Sequence, residues 1–220
     1  MSMLATSHSA AILADEQPLV LIVDDDSAVR DALNELILSA GMEPMCFAST
    51  RELLEAKMLD RPGCLLLDVR MPGASGLELQ DQLAANGNRK PIIFLTAHGD
   101  ILMSVQAMKA GAVDFLTKPV RDQTLLDAII VAIRQDSAQR ESATSVKRAM
   151  ELLETLTARE REVLGEVARG RLNKQIAFDL CISEVTVKLH RANAMRKMQA
   201  KSIGELIRTW ELIPSHLRSA

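Results

Sequence analysis

Leu19-Val-Leu-Ile-Val-Asp-Asp-Asp26 runs five apolar residues straight into three consecutive carboxylates. A short unbroken apolar run of this kind reads as a strand buried on both faces. Four more such runs follow: Pro44–Phe47, Cys64–Leu67, Ile92–Leu95 and Val113–Leu116. Helix-period stretches separate them at Ser27–Ala40, Thr50–Met58, Gly76–Ala85, Asp100–Ala110 and Asp122–Arg134. Gly41, Gly87 and Gly111 stand where three of these helices should stop. Strands alternating with helices imply βαβ units, hence an α/β doubly wound, five-stranded parallel sheet covered on both faces. With right-handed crossovers, the ligand site of such a sheet lies at the carboxyl ends of its strands.

The polar residues that follow the strands all fall at that edge. Asp24, Asp25 and Asp26 follow the first run, Asp68 the third, Thr96 the fourth, and Lys118 with Pro119 the fifth. Carboxylates converging on one point repel each other unless a cation joins them. Oxygen ligands without His or Cys suit a hard ion such as Mg²⁺, with Mn²⁺ as a substitute. A hydroxyl and an ammonium beside them suit a phosphoryl group, whose transfer needs positioning and charge neutralisation. Asp26 reads differently, as a solvated or helix-capping residue.

Bulk properties set the frame. The chain has 220 residues and is 48% apolar, enough for two small cores, yet only 2% aromatic with no Tyr. Cys46, Cys64 and Cys181 lie far apart, without zinc spacing, and read as buried thiols in a reducing compartment. No apolar run reaches the ~18 residues needed to span a bilayer, and residues 1–17 read as a loose tail without a basic leader. The expectation is a cytoplasmic protein with no membrane partner. Residues 1–134 carry 11 Lys+Arg against 18 Asp+Glu, a net −7, whereas residues 135–220 carry 15 against 11, a net +4. An acidic front half and a basic back half call for different partners, the second polyanionic.

The boundaries expected are a front domain over 18–135, a polar and partly helical linker over 136–154, and an all-α four-helix domain over 155–220. Thr157 with Glu160 forms a capping-box pattern ahead of a helix ending near Gly170. A short helix over Asn173–Leu180, a turn at Cys181-Ile-Ser183 and a longer helix over Glu184–Met198 make a helix-turn-helix. Ser202 with Glu205 repeats the capping-box pattern before Ile203–Leu212. From Arg171 to Lys201 there are seven Lys+Arg and two Asp+Glu, a local +5 that suits contact with double-stranded DNA through phosphate.

Two resemblances gather these residues. Val20-Leu-Ile-Val-Asp-Asp-Asp26, Leu65-Leu-Leu-Asp-Val-Arg-Met-Pro-Gly73, Phe94-Leu-Thr-Ala-His-Gly-Asp100 and Met108-Lys-Ala-Gly-Ala-Val-Asp-Phe-Leu-Thr-Lys-Pro119 resemble a receiver domain, a flavodoxin-like fold. That resemblance implies Asp68 as phosphoacceptor, with Asp24, Asp25, Asp68 and the Arg70 carbonyl as Mg²⁺ ligands. It also implies Thr96 and Lys118 on the phosphoryl oxygens, Thr96 and Phe115 as the switch pair, and a cis peptide before Pro119. Val120 stands where an aromatic is common. Arg70 and His98, two residues beyond Asp68 and Thr96, flank the route of a hydrolytic water and are expected to block it. Val105, Lys109, Asp114 and Arg121 are the expected dimer face.

Leu156-Thr-Ala-Arg-Glu-Arg-Glu-Val-Leu164, Asn173-Lys-Gln-Ile-Ala177 and Ser183-Glu-Val-Thr-Val-Lys-Leu-His-Arg191 resemble the LuxR/NarL-type DNA-binding domain, and the whole chain resembles a FixJ-type two-component response regulator. This implies base contact by Lys188 and Leu189, and mixed base and phosphate contact by Asn173, Lys174, Thr186, His190, Arg191 and Asn193. Val187 is expected among the contacts and Val185 in the core. Ala192 stands where some relatives are basic, so base preference does not carry over.

The implied function is transcription regulation. A partner histidine kinase phosphorylates Asp68, which promotes a homodimer and sequence-specific DNA binding, with RNA polymerase a further candidate partner. A haloacid-dehalogenase-type phosphatase would share the Asp, Thr and Lys but needs a second acid two residues after the nucleophile. Arg70 stands there, so the chain is not expected to be an enzyme. A receiver without phosphorylation chemistry is the other alternative, against which stands the complete set Asp25, Asp68, Thr96 and Lys118.

Overall fold

The computed structural model describes residues 17–97 and 99–218. The loose tail read over the first residues, up to residue 16, and the water-blocking role read for His98 lie outside them. Two compact units divide at Gln139 and Arg140.

In the first unit, β1 (Leu19–Val23), β2 (Glu43–Phe47), β3 (Gly63–Leu67), β4 (Ile92–Thr96) and β5 (Asp114–Thr117) form one sheet of order β2-β1-β3-β4-β5. Every pairing is parallel. The helices between them are α1 (Ser27–Ser39), α2 (Thr50–Ala56), α3 (Gly76–Ala85) and α4 (Ile101–Lys109). All five residues of β1 are buried because both faces of the sheet are covered. Leu19, Leu21 and Val23 point to a core shared with Leu53 of α2, Leu79 and Leu83 of α3 and Ala107 of α4. Val20 and Ile22 point to the opposite core, with Leu33 and Ile37 of α1 and with Leu125 and Ile129 from the helix after β5. Pro44 is accommodated because β2 is an edge strand.

Local chemistry ends and starts the helices. Asp26 caps α1, its carboxylate accepting the Ala28 N–H at 2.9 Å. Ser75 and Glu78 close a full capping box on α3. Lys57 at φ 54° stops α2 at Ala56, two residues before the end the sequence suggested.

The helix after β5, α5, runs from Asp122 to Glu154, 33 residues, through the whole stretch read as a linker. That stretch is helical because its polar residues still contain buried positions. Asp136 is 4% exposed and its carboxylate accepts the Gly63 N–H at 2.9 Å, while Ala149 and Leu153 are buried.

The second unit adds α6 (Ala158–Ala168), α7 (Asn173–Asp179), α8 (Glu184–Lys197), α9 (Ile203–Leu212) and a short α10 (Ser215–Arg218). One core gathers Ala149, Leu153, Leu156, Leu164, Ala194, Met198, Leu206, Trp210 and Ile213. Another gathers Val163, Val167, Ile176, Ala177 and Val187. Thr157 and Glu160 form the expected capping box. The second pattern forms only in part. Ser202 accepts the Glu205 N–H, but the Glu205 carboxylate reaches one residue further back, to the Lys201 N–H at 2.8 Å.

The cysteines correct the expectation of buried thiols. Cys64 is buried, and burial pushes its thiol up to about 12. Cys46 is exposed on the edge strand β2, and Cys181 is exposed in the α7–α8 turn at φ 51°.

Candidate phosphorylation site and DNA-binding face

The chain order reverses between β1 and β3, and a sheet of this order opens a crevice at their carboxyl ends. The ladder fixes the residues that line it. Asp24 N–H reaches the Phe47 carbonyl at 3.2 Å, Asp68 N–H the Val23 carbonyl at 2.9 Å, and Lys118 N–H the Thr96 carbonyl at 2.9 Å. The side chains of Asp24, Asp25 and Asp68 thereby converge, with one oxygen from each within 4.8 Å of the others. This is the one group of three or more potential metal-ligating side chains found among the described residues. An all-carboxylate set at this spacing suits a hard divalent cation.

Lys118 Nζ lies 2.5 Å from Asp24 Oδ2 and 3.3 Å from Asp68 Oδ2. The Lys118–Pro119 peptide is cis, as expected. Burial raises the pKa of Asp24 above its ordinary value and Asp68 adds to the rise, against the opposing pull of Lys118 and the Asp26 N–H. A divalent cation would relieve that penalty on the charged form.

Arg70 is exposed, and its N–H reaches Asp68 Oδ1 at 3.3 Å. Thr96 is 1% exposed at the end of β4. Phe115 faces Phe94 across the β4–β5 pair, ring centroids 5.9 Å apart, and is half-buried. A Cβ on Gly99 would fall 2.8 Å from the Phe115 ring, so this glycine lets the loop after β4 lie against it. Val120 packs into the core shared by α1 and α5.

Sequence reasoning missed two supports of the site and most of one exposed apolar face. Arg30 on α1 donates to the Asp24 carbonyl at 2.7 Å. The start of α3 packs on the Asp68 backbone, where a Cβ on Gly76 would meet the Asp68 carbonyl oxygen at 2.2 Å. The outer face of α4 exposes Ile101 and Leu102, each 81% exposed, with Val105 and Met108. Only Val105 of these four was read as a face residue. Lys109 and Arg121 are exposed, and Asp114 is half-buried, its carboxylate accepting the Phe115 N–H.

In the second unit, Ser183 caps α8 by accepting the Thr186 N–H. Lys174, Lys188 and Leu189 are exposed, and Asn173, Thr186, His190, Arg191 and Asn193 are partly exposed. Arg191 donates to Asn173, which ties α8 to the start of α7. The readings of Val185 and Val187 are reversed. Val187 is 0% exposed, packed with Val163, Val167, Ile176 and Ala177, and cannot touch DNA, whereas Val185 is 75% exposed. Two valines two positions apart on a helix point nearly opposite ways, and the buried Ala194 and Met198 lie on the Val187 side of α8.

Lys197 is not part of that exposed face. Its ammonium lies 2.6 Å from the buried Glu160 carboxylate. Burial pushes the Glu160 carboxyl up, but Lys197 and the Thr157 N–H and hydroxyl outweigh it and hold the group below its ordinary value.

Comparison with known proteins agrees with both units. Residues 20–130 match the response regulator receiver domain, and residues 154–210 match the luxR family of bacterial regulatory proteins. Nodulation protein W of Bradyrhizobium diazoefficiens is 48% identical over 200 residues, covering 91% of this chain and 88% of its own. Response regulator protein TodT of Pseudomonas putida is 48% identical over 205 residues, covering 93% and 90%. The solved structure of response regulator StyR superposes with TM-score 0.79 at 46% identity, over 89% of this chain and 99% of that one. Full-length FixJ from B. japonicum matches at TM-score 0.55 and 40% identity, over 89% and 96%. A parallel sheet with an acidic crevice, joined in one chain to a basic helix-turn-helix, thus places the protein in the response regulators with a receiver and a LuxR-type DNA-binding domain, a family of transcriptional regulators.

Proposed function

We propose that Asp68 accepts a phosphoryl group from a partner histidine kinase, and that this modification promotes pairing of two chains and their binding to an operator. The observation that carries the reading is the convergence of Asp24, Asp25 and Asp68 with the Lys118 ammonium at one point of the sheet edge. A carboxylate oxygen of Asp68 attacks phosphorus, the bond to the donor nitrogen breaks, and that nitrogen keeps the electron pair. Lys118 leaves part of its bond to Asp24 and neutralises the incoming oxygens. Asp24, Asp25, Asp68 and the Arg70 carbonyl would hold Mg²⁺, or Mn²⁺ in its place, and the ion would supply charge stabilisation to the transferring group. Thr96 turns toward the modified Asp68, and Phe115 follows it inward. Exposed apolar surface on α4, beside Val105, Lys109, Asp114 and Arg121, supports pairing through that face.

Residues 18–135 serve as the receiver and 155–220 as the DNA-binding domain, with the stretch 136–154 between them. Lys188 and Leu189 meet base edges, while Asn173, Lys174, Thr186, His190, Arg191 and Asn193 share base and phosphate contacts. The chain turns over no substrate of its own, acts in the cytoplasm and engages RNA polymerase at the promoter. Incubation with acetyl phosphate and Mg²⁺ tests the site. One acid-labile phosphoryl group is expected on the wild type and none on Asp68→Asn. Equal labelling of the variant overturns the assignment, and multiple turnover of the donor would make the chain a phosphatase.

A further inference from the structure

The outward strip of α8 consists of Val185, Lys188, Leu189 and Ala192, spaced i, i+3, i+4 and i+7, so the four share one side of the helix. All four are exposed, with Val185 at 75% and Leu189 at 58%. The opposite side packs Val187, Ala194 and Met198 into the core. Hydrophobic side chains held in water on a helix that already has a buried face need a partner. The surrounding charge says which kind: the segment from Arg171 to Lys201 carries seven cations against two anions, and a positive excess remains once Lys197 is set aside with its partner Glu160. A polyanion with apolar groups on its surface fits that mixture. The major groove of DNA offers such groups at one place, the 5-methyl of thymine, which favours apolar side chains.

We infer that Val185, with Leu189 and Ala192, reads thymine methyl groups on either side of the base pair contacted by Lys188. The inference rests on the proposed placement of α8 in the groove and adds a specificity to it. Val185 and Leu189 are about 6 Å apart along the helix, and the base-pair rise is about 3.4 Å, so the two side chains reach thymines about two steps apart. Lys188 stands between them on the strip, and its ammonium suits the O6 and N7 acceptors of guanine. Each half-site is then a guanine flanked by A·T pairs whose thymines present their methyls to this helix.

Deoxyuridine differs from thymidine by that methyl alone, which makes a clean test. Full-length protein charged with BeF₃⁻ and Mg²⁺ selects duplexes from a random library, and the selected duplex is remade with dU in place of each dT in turn. Wild type should select flanking thymines and lose about fourfold in affinity for each methyl removed. Val185→Ala should bind the dU and dT duplexes alike at one flanking position, and Leu189→Ala at the other. Absence of a thymine preference, or a dU penalty unchanged in Val185→Ala, overturns the inference while leaving DNA binding intact. If the strip instead pairs two copies of the chain, dU substitution has no effect and Val185→Ala lowers the sedimenting mass, which also overturns it. Failure of the charged protein to select any duplex would remove the proposed function itself.

Discussion

Val185 and Val187 are two residues apart, identical in chemistry and opposite in fate. Hydrophobicity marks the inside of most helices, but a groove-facing helix carries apolar residues outward too, so the apolar pattern alone put Val185 inside and Val187 outside, the wrong phase for α8. Burial resolves it, and the two positions separate stability from binding. Val187→Ser places a hydroxyl in the core of Val163, Ile176 and Ala177 and should destabilise the helical unit by roughly 2–4 kcal/mol in urea unfolding. Val185→Ser should change stability by no more than about 0.5 kcal/mol. The acidic crevice was legible for a different reason. A polar residue directly after an apolar strand can only lie at the sheet edge, so Asp24, Asp25, Asp68, Thr96 and Lys118 were readable from position. Arg30 was not, because nothing in a helix-borne arginine announces that it will bond the Asp24 carbonyl six residues back.

The elements divide along similar lines. β1, β3 and β4 read to within a residue because their faces are buried on both sides, which leaves an uninterrupted apolar run. The second half of α5 was obscured by its polar composition, since only scattered positions such as Asp136, Ala149 and Leu153 are buried. Asp136→Ala would leave the Gly63 N–H without its carboxylate acceptor and should cost about 1–3 kcal/mol, read as a lower urea midpoint for the receiver. At the start of α6, Glu160 both caps the helix and pairs with Lys197. Because its folded pKa is depressed, its contribution is complete above the ordinary value of 4.5 and is lost as pH falls through the lower, folded value. Melting of Glu160→Gln against wild type should therefore show a deficit at pH 7 that shrinks in acid. A deficit independent of pH would mean that the carboxylate charge does not contribute.

At the scale of the whole molecule, the charge division read from composition corresponds to two kinds of chemistry. The acidic half holds the carboxylate crevice, and the basic half holds the exposed face of α8. A single helix-turn-helix offers few base contacts, so one copy should bind weakly, and two linked copies gain from the raised effective concentration at the second half-site. Under the proposed function, pairing of receivers is what links them. The described residues include no helix long and apolar enough to cross a membrane. The most direct test is footprinting of wild-type protein on its selected operator with and without BeF₃⁻ and Mg²⁺, beside Asp68→Asn under both conditions. Charged wild type should protect an inverted repeat at much lower concentration than the other three samples. Equal protection by all four at every concentration and salt would contradict it.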